Sequence, residues 1–433
     1  MIRLIALFWL TLTIQTAQAV PIIQSATLDN GLRILLIEAH NVPMVAMQLS
    51  LPAGSRFDAH GKAGSAALLA AMLSDHTAKH DQKAWADWLD FEALHLGASA
   101  SRDTLNMSLT VVKASLPEGL DALSEALLQP GWNQQRFNLL QEDSIASAVK
   151  SQELPNVLAA QTTAALLYGE AAYGHVSSGT AESLKNIRLH DLKALYQAQV
   201  KPHDAVLAVS GDIRMNELLP MLNQRLSTWQ GKPKQGALSV PKVSAKPVQT
   251  KQVVLPTSQA LVQFSRLGIA RSDQNFFPLF VMNHYLGSGG FASKLMEEVR
   301  EKRGLVYGVY SYFIPLAGKG PFVITLQTRA SQAKQAAKVV HDVMKSMAAG
   351  DIESKRLQAT KDNLIGGFAQ RMDSNRERVG LMAMIGFYHM PLDYLQRWTE
   401  NVNSVTVADV KKMAKYYLQP SDWNLIQVGP VEE

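Results

Sequence analysis

Two patterns of hydrophobic positions occur along this chain, one typical of helices and one typical of strands. Residues 64–77 are apolar at every position from Ala66 to Leu73, which predicts a buried helix rich in alanine and leucine. Residues 32–37 and 45–51 precede it, and the second of these segments alternates between apolar and polar positions as a strand does. The pattern therefore predicts the order strand, strand, helix.

The following segments continue this mixture of helices and strands. Residues 83–97 carry tryptophans and leucines at helical spacing, and Gly97 is expected to end that helix. Residues 105–111 alternate as a strand, whereas residues 116–128 and 134–152 have helical patterns.

The same order of elements recurs in the second half of the chain. The strand pattern at residues 322–328 repeats that at 105–111 with an offset of 217 residues, and residues 350–357 repeat 131–137 with an offset of 219. Residues 261–267, followed by a helical run, likewise repeat the earlier strand and helix. An internal repeat of this kind predicts two related α+β domains in tandem.

Length and composition agree with two folded domains. The chain has 433 residues, which is long for one ordinary domain, and is 47% hydrophobic and 18% charged. Residues 231–247 are rich in lysine and proline and lack helical periodicity, so we expect an extended linker there. The predicted domains are therefore residues 20–230 and 248–433.

The first 19 residues have the three parts of a secretory signal, with cleavage expected before Val20. An uncleaved anchor is the alternative, and no later stretch is long and apolar enough to predict a membrane span after cleavage. The chain has no cysteine, which excludes disulfides and thiol chemistry and is compatible with an oxidising compartment. We therefore expect export to a periplasm.

The net charge argues against a nucleic-acid partner. The formal charge of +5 is small for 433 residues, and no dense run of lysine and arginine with interleaved aromatic residues is present.

The order of strand, strand, the turn at residues 53–56 and the alanine-rich helix resembles the pitrilysin (insulinase) family of zinc peptidases, which includes the mitochondrial processing peptidase. The family carries its inverted zinc motif, H-x-x-E-H, on this helix. Ala67, Ala70 and Ala71 stand where the family has its first histidine, its catalytic glutamate and its second histidine. Alanine neither binds zinc nor takes a proton from water, so the resemblance implies a member that has lost its zinc site.

The resemblance also carries implications for the fold and for the remaining zinc ligand. It implies tandem domains of one α+β fold, each with a mainly antiparallel β-sheet covered by helices. The third zinc ligand of the family, a glutamate, would fall near Ala146 to Ala148, where no glutamate stands. Glu142 and Asp143 are close, but they could replace that ligand only after a shift in register.

His76 and His80 have the spacing of the inverted motif, but Lys79 stands at the position of its glutamate. An ammonium group beside a metal ion is repulsive, so the alternative of a polar loop or helix end is preferred. We expect no metal and no cofactor in this chain, and we expect the zinc in a partner subunit.

Residues 291–310 form the run that most resembles the family. In family members this segment supplies an arginine and, seven residues later, a tyrosine that both reach the substrate at the zinc, and Arg300 and Tyr307 have this spacing. A guanidinium can donate to substrate carbonyls, and a phenol can donate to an oxyanion. The alternative is a surface arginine beside a core tyrosine. The preceding residues 287–291 lack the ending of a phosphate-binding loop, so we expect a loop that allows close approach of backbone or peptide.

These observations predict a zinc-less subunit of a heterodimeric periplasmic metallopeptidase, paired with a homologous subunit that has H-x-x-E-H and acting on peptides or unfolded proteins. Arg300 and Tyr307 would act at the partner's zinc. A non-proteolytic peptide-binding or scaffold protein of the same fold is the alternative, and a self-sufficient peptidase with an unconventional site is a third possibility.

Overall fold

The computed structural model describes residues 20–240, 243 and 246–430, so the predicted signal at residues 1–19 lies outside the described part of the chain. The first half begins with two strands and ends with a helix before the predicted linker. Its strands are β1 (Gln24–Thr27), β2 (Arg33–Glu38), β3 (Met44–Leu51), β4 (His95–Ala100), β5 (Leu105–Val112) and β6 (Val206–Gly211). Its helices are α1 (Ser65–Asp75), α2 (Gln82–Phe91), α3 (Leu116–Leu128), α4 (Gln134–Ser151), α5 (Pro155–Tyr168), α6 (Ala181–Asn186), α7 (Leu189–Gln199) and α8 (Met215–Leu226).

The second half has the same alternation of strands and helices. Its strands are β7 (Thr250–Val254), β8 (Gln259–Leu267), β9 (Val309–Phe313), β10 (Pro321–Arg329) and β11 (Asn424–Gly429). Its helices are α9 (Phe276–Asn283), α10 (Ala333–Ala348), α11 (Ser354–Gly366), α12 (Asn375–Phe387), α13 (Tyr394–Ser404) and α14 (Val407–Tyr417). Two further segments, His284–Ser288 and Met296–Glu301, are π-helical.

Each half builds one β-sheet, and the two sheets share a five-strand order, to which the first sheet adds β1 at one edge. The first sheet has the order β1-β2-β6-β3-β5-β4 and the second has the order β7-β11-β8-β10-β9. Strand β2 is parallel to β6, and β7 is parallel to β11, whereas the other neighbours are antiparallel. The predicted α+β fold with two related, mainly antiparallel sheets is therefore confirmed.

The alternation of apolar residues places the core of the first half between its sheet and helices. Every second side chain of β5 is buried, and these side chains pack with the apolar residues of α1 and α3. Burying one face of each strand against helices removes its apolar side chains from water, which is the main favourable contribution to folding.

The predicted helix over residues 83–97 is wrong at its end. Helix α2 ends at Phe91, Ala93 has the left-handed φ of 53°, and Gly97 lies in β4, where its register partner is Ser108. A left-handed residue stops an α-helix, and from Leu94 onwards apolar positions recur at every second residue. The spacing of apolar residues thus changes from that of a helix to that of a strand, and no glycine or proline stands at the point of change.

Each half contributes a helix to the sheet of the other half. Helix α5 packs on β8 and β11, where the Gln263 amide donates to Thr163 Oγ1 at 2.6 Å. Helix α12 packs on β3 and β6 so closely that a Cβ built on Gly386 would lie 2.6 Å from Val206 Cγ1. The two halves therefore share apolar surface, although the predicted boundaries at residues 230 and 248 fall between α8 and β7.

A buried carboxylate joins the two halves. Asp103 is 1% exposed, and it accepts hydrogen bonds from Tyr173 at 2.6 Å, from Tyr388 at 2.9 Å and from the backbone N–H of Ala317 at 2.8 Å. The Arg56 Nε lies 3.2 Å from a carboxylate oxygen of Asp103. Desolvation and the charge of Asp103 raise the pKa of both phenols, so the tyrosines stay protonated and act as donors.

The predicted linker over residues 231–247 is bound to the first half along part of its length. The guanidinium of Arg56 donates to the carbonyls of Ala237 at 2.5 Å and Ser239 at 2.9 Å, and the Gln199 amide donates to Gln235 O at 3.1 Å. Residues 241–242 and 244–245 lie outside the described residues. In the part of the chain that the structure covers, none of the helices has the length and apolar character that crossing a membrane requires.

Candidate functional site

Helix α1 carries the three alanines at the zinc-motif positions. Its N-terminus is held by Asp58, which accepts the backbone N–H groups of Gly64 and Ala66, each at 2.8 Å. Ala70 is 2% exposed and belongs to the core of the first half, whereas Ala67 and Ala71 are partly exposed. The position of the family's catalytic glutamate is therefore occupied by a core methyl group. None of the three side chains can coordinate a metal or transfer a proton.

The region of the third zinc ligand lies on α4, which packs against α1. Ala146 is exposed and Ala148 is 9% exposed. Glu142 and Asp143, the acids that would need a register shift to replace the ligand, are both exposed. One acid without histidines does not make a zinc site.

His76 and His80 are bound to separate carboxylates. His76 Nδ1 lies 2.8 Å from Asp75 Oδ2, and His80 Nδ1 lies 2.8 Å from Glu125 Oε1. Within the residues that the structure describes, no group of three histidine, aspartate or glutamate side chains has an arrangement that could hold a metal ion. Both imidazoles thus contribute to the local packing and charge balance of the first half.

Arg300 and Tyr307 lie side by side in the second half. The Arg300 Cζ lies 5.2 Å from the centroid of the Tyr307 ring and 4.6 Å from that of Phe291. Tyr307 is 89% exposed, which contradicts the alternative of a core tyrosine. Among the described residues, the Arg300 guanidinium forms no ion pair, so its donors remain available to a bound molecule.

The backbone explains how seven residues of separation bring the two side chains together. Arg300 lies in the π-helical turn Met296–Glu301, in which the Lys302 N–H donates to Glu297 O at 3.0 Å. The chain then reverses at Gly304, whose φ of 62° is left-handed, and its N–H donates to Arg300 O at 2.7 Å. This reversal returns the chain past the guanidinium, so Tyr307 lies beside Arg300 just before β9 begins.

Three charged residues fix this turn, and sequence reasoning missed their role. Glu297 forms ion pairs with Lys302 at 2.6 Å and with Arg356 of α11. Arg356 also donates from Nη2 to Ala292 O at 2.8 Å. Hydrogen bonds from Lys302 and Arg356 lower the pKa of Glu297 to about 2, so its carboxylate stays charged. Glu297 and Arg356 are 59 positions apart, so no local pattern in the sequence predicts this ion pair.

The arrangement can bind a polar extended ligand. Arg300 has a planar donor group without a counter-ion among the described residues, Tyr307 has an exposed phenol, and Phe291 is 64% exposed beside them. A guanidinium and a phenol can donate to backbone carbonyls and to the oxyanion of a tetrahedral intermediate. Neither group can activate water at neutral pH, so hydrolysis needs a nucleophile from elsewhere.

Family profiles and solved structures both match this chain. Residues 33–171 match the profile described as insulinase (peptidase family M16), and residues 186–364 match the profile described as the peptidase M16 inactive domain. A solved structure, a peptidase M16 inactive domain from Pseudomonas fluorescens, superposes with a TM-score of 0.90 at 30% identity, covering 95% of this chain and 98% of that one. A protease from Helicobacter pylori superposes with a TM-score of 0.86 at 18% identity, covering 95% of this chain and 100% of that one.

Curated relatives span nearly the whole chain. A protein of Helicobacter pylori named non-peptidase homolog YmxG is 25% identical over 390 residues, 89% of each chain. A Bacillus subtilis protein named uncharacterized zinc protease YmxG is 23% identical over 412 residues, 94% of this chain and 98% of the relative. The two-sheet fold, the profile matches and the similar solved structure together show that this chain belongs to the pitrilysin family, peptidase family M16, as a member with alanines at the zinc-motif positions.

Proposed function

We propose that this chain is the zinc-less subunit of a heterodimeric periplasmic peptidase. The partner is a homologous subunit with an intact H-x-x-E-H motif, and this chain closes the chamber and presents Arg300 and Tyr307 to the peptide at the partner's zinc. The observation that carries the proposal is the contrast between the two halves. The first half has lost every side chain of the zinc motif, whereas the second half keeps Arg300 beside a Tyr307 that is 89% exposed.

The exposure and the fixed position of the pair support a role in binding and in transition-state stabilisation. The ring of Tyr307 contributes little to folding although it contacts the Arg300 guanidinium, because the ring stays 89% exposed to water. The ion pairs of Glu297 with Lys302 and Arg356 nevertheless hold the turn that carries Arg300. Such preorganised donors lower the barrier of a reaction in which charge develops on a carbonyl oxygen.

Reconstitution tests the proposal. The mature chain and a homologous H-x-x-E-H subunit from the same organism would be purified separately and assayed on an unfolded protein, alone and mixed. We expect neither chain alone to turn over substrate at the rate of the mixture, with activity rising until the subunits are equimolar. Full activity of the H-x-x-E-H subunit by itself, unchanged by this chain, would contradict the proposal.

The alternative of a non-proteolytic binding or scaffold protein is favoured by one observation. The Helicobacter pylori relative carries the name non-peptidase homolog. Under this alternative the chain binds peptides or a partner without any gain in hydrolysis. The reconstitution distinguishes the two functions, because only the first predicts activity in the mixture.

A further inference from the structure

A cavity lies in the second half of the molecule, and neither Arg300 nor Tyr307 is among its lining residues. It has a volume of about 400 Å³ and lies between α9, β9, α12 and α13. Aromatic side chains form much of its wall, including Phe276, Phe280, Tyr312 and Trp398. This volume and lining suit a small ligand with an apolar body.

Two arginines line this cavity, and no carboxylate is among its described lining residues. Arg271 lies in the wall, with its Cζ 5.4 Å from the Phe276 ring centroid. Arg371 is exposed, and its Cζ lies 5.9 Å from the Phe280 ring centroid. Neither guanidinium forms an ion pair with the described part of the chain, so the cavity carries positive charge without a counter-ion.

Arg271 has donors that the protein leaves unused. Its Nε is buried without a hydrogen-bond partner among the described groups, and its Nη2 makes one long hydrogen bond of 3.4 Å to Pro315 O. Burial lowers the pKa of Arg271, and the nearby Asp103 opposes this only weakly. The Asp103 carboxylate already faces Arg56 and accepts hydrogen bonds from two tyrosines. A buried N–H donor without an acceptor is costly, and an acceptor bound in the cavity would complete it.

We propose that this cavity binds a carboxylate attached to an aromatic or bulky aliphatic group, with the carboxylate at Arg271 and Arg371 and the apolar group against the rings. Two sources share this chemistry, namely a free hydrophobic carboxylic acid and the C-terminal residue of a peptide. The inference goes beyond the proposed peptidase role, because it needs neither zinc nor a partner subunit. Arg300 and Tyr307 take no part in it.

Binding of matched probes tests the proposal on the full mature chain. N-acetyl-phenylalanine supplies the carboxylate, and N-acetyl-phenylalaninamide has the same ring without the charge. Binding is followed by NMR of methionine methyl groups, because Met384 lines the cavity, with its signal assigned from Met384→Leu. A tetrapeptide ending in phenylalanine, with a free or an amidated C-terminus, separates the peptide source from the free acid.

We expect the acid to bind saturably, to shift the Met384 signal and to bind at least about tenfold tighter than the amide, since charge-assisted hydrogen bonds to arginine are lost with the amide. Arg371→Gln, at an exposed position, and Arg271→Gln should each remove this preference. Arg376→Gln, an exposed arginine that lines a different cavity, is the matched control and should keep it.

Equal affinity for acid and amide, or an acid preference that survives in Arg371→Gln, would overturn the proposal. The preference for acid over amide measured in Arg371→Gln decides the outcome even where Arg271→Gln does not fold. If the tetrapeptide with a free C-terminus binds more tightly than N-acetyl-phenylalanine, the site is assigned to peptide C-termini. The reverse order of affinity would assign it to small acids.

Discussion

Replacing Asp103 by alanine should strongly destabilise the protein, because this carboxylate joins both halves of the fold. It is 1% exposed and receives two phenol donors, one backbone N–H and the charge of Arg56. Removing one partner of a buried ion pair costs about 3 to 5 kcal/mol, because the remaining charge stays buried without compensation. Tyr388→Phe removes only one donor to the carboxylate and should cost about 1.5 to 3 kcal/mol.

Urea unfolding followed by circular dichroism measures these costs. Asp87→Ala is the matched control, because the side chain of Asp87 is 63% exposed and its ion pair is with Lys83 in the same helix, so its cost should stay within about 0.5 kcal/mol. The double variant of Asp103 and Tyr388 should cost less than the sum of the single variants, since both changes break the same hydrogen bond. A cost below about 1 kcal/mol for Asp103→Ala, or full additivity with Tyr388→Phe, would refute the assignment of Asp103 as the junction.

The purified mature chain should contain no stoichiometric zinc after dialysis against trace zinc, because Ala67, Ala70 and Ala71 replace the motif; about one tightly held ion per chain by metal analysis would contradict this. Limited proteolysis should first cut within residues 231–247 but outside 235–239, where Arg56 and Gln199 hold the backbone, and an earlier cut inside either half would argue against the boundaries. Glu297→Gln should destabilise the protein at pH 7, where the ionised carboxylate is paired. Hydrogen bonds from Lys302 and Arg356 lower the pKa of Glu297 from 4.5 to about 2 in the folded state, so the stability that its ionised carboxylate adds is lost as pH falls through this range. The difference in free energy of unfolding between variant and wild type should therefore shrink from about pH 5 towards pH 2, and a constant difference in that range would exclude the ion pair as its cause.

Much of the fold could be predicted from the sequence because its elements have strong local periodicity. The strands β3 and β5 and the helix α3 lie where alternating and helical patterns place them, and the repeat predicted two sheets of one kind. The end of α2 was not predicted, since pairing of β4 with β5 decides it and this pairing is a contact between distant residues.

The junction of the two halves could not be predicted, because its members are scattered along the chain. Arg56, Asp103, Tyr173 and Tyr388 come from separate segments with no shared period. The exchange of α5 and α12 between the sheets likewise depends on tertiary packing, and an apolar helix pattern does not identify the sheet that it covers.

The candidate site was predicted in part. The family resemblance identified the three alanines at the zinc-motif positions and singled out Arg300 and Tyr307, which the structure places side by side. The ion pair between Arg356 and Glu297 and the contact between the Phe291 ring and Arg300 were not predicted. The first depends on where α11 packs, which the local sequence pattern does not determine.

The turnover number of the complex formed with an H-x-x-E-H subunit tests the central claim most directly. Tyr307→Phe removes a single hydroxyl from a residue that is 89% exposed, so folding and assembly should be unchanged, while Tyr416→Phe, with Tyr416 at 61% exposure, is the matched control. Loss of one oxyanion donor should lower kcat by about 30- to 1,000-fold, equivalent to about 2 to 4 kcal/mol, with the partner at saturating concentration. Arg300→Ala should in addition raise KM, because a guanidinium on substrate carbonyls acts in the ground state as well as in the transition state. Unchanged kcat and KM in both variants would contradict the account and favour a scaffold function.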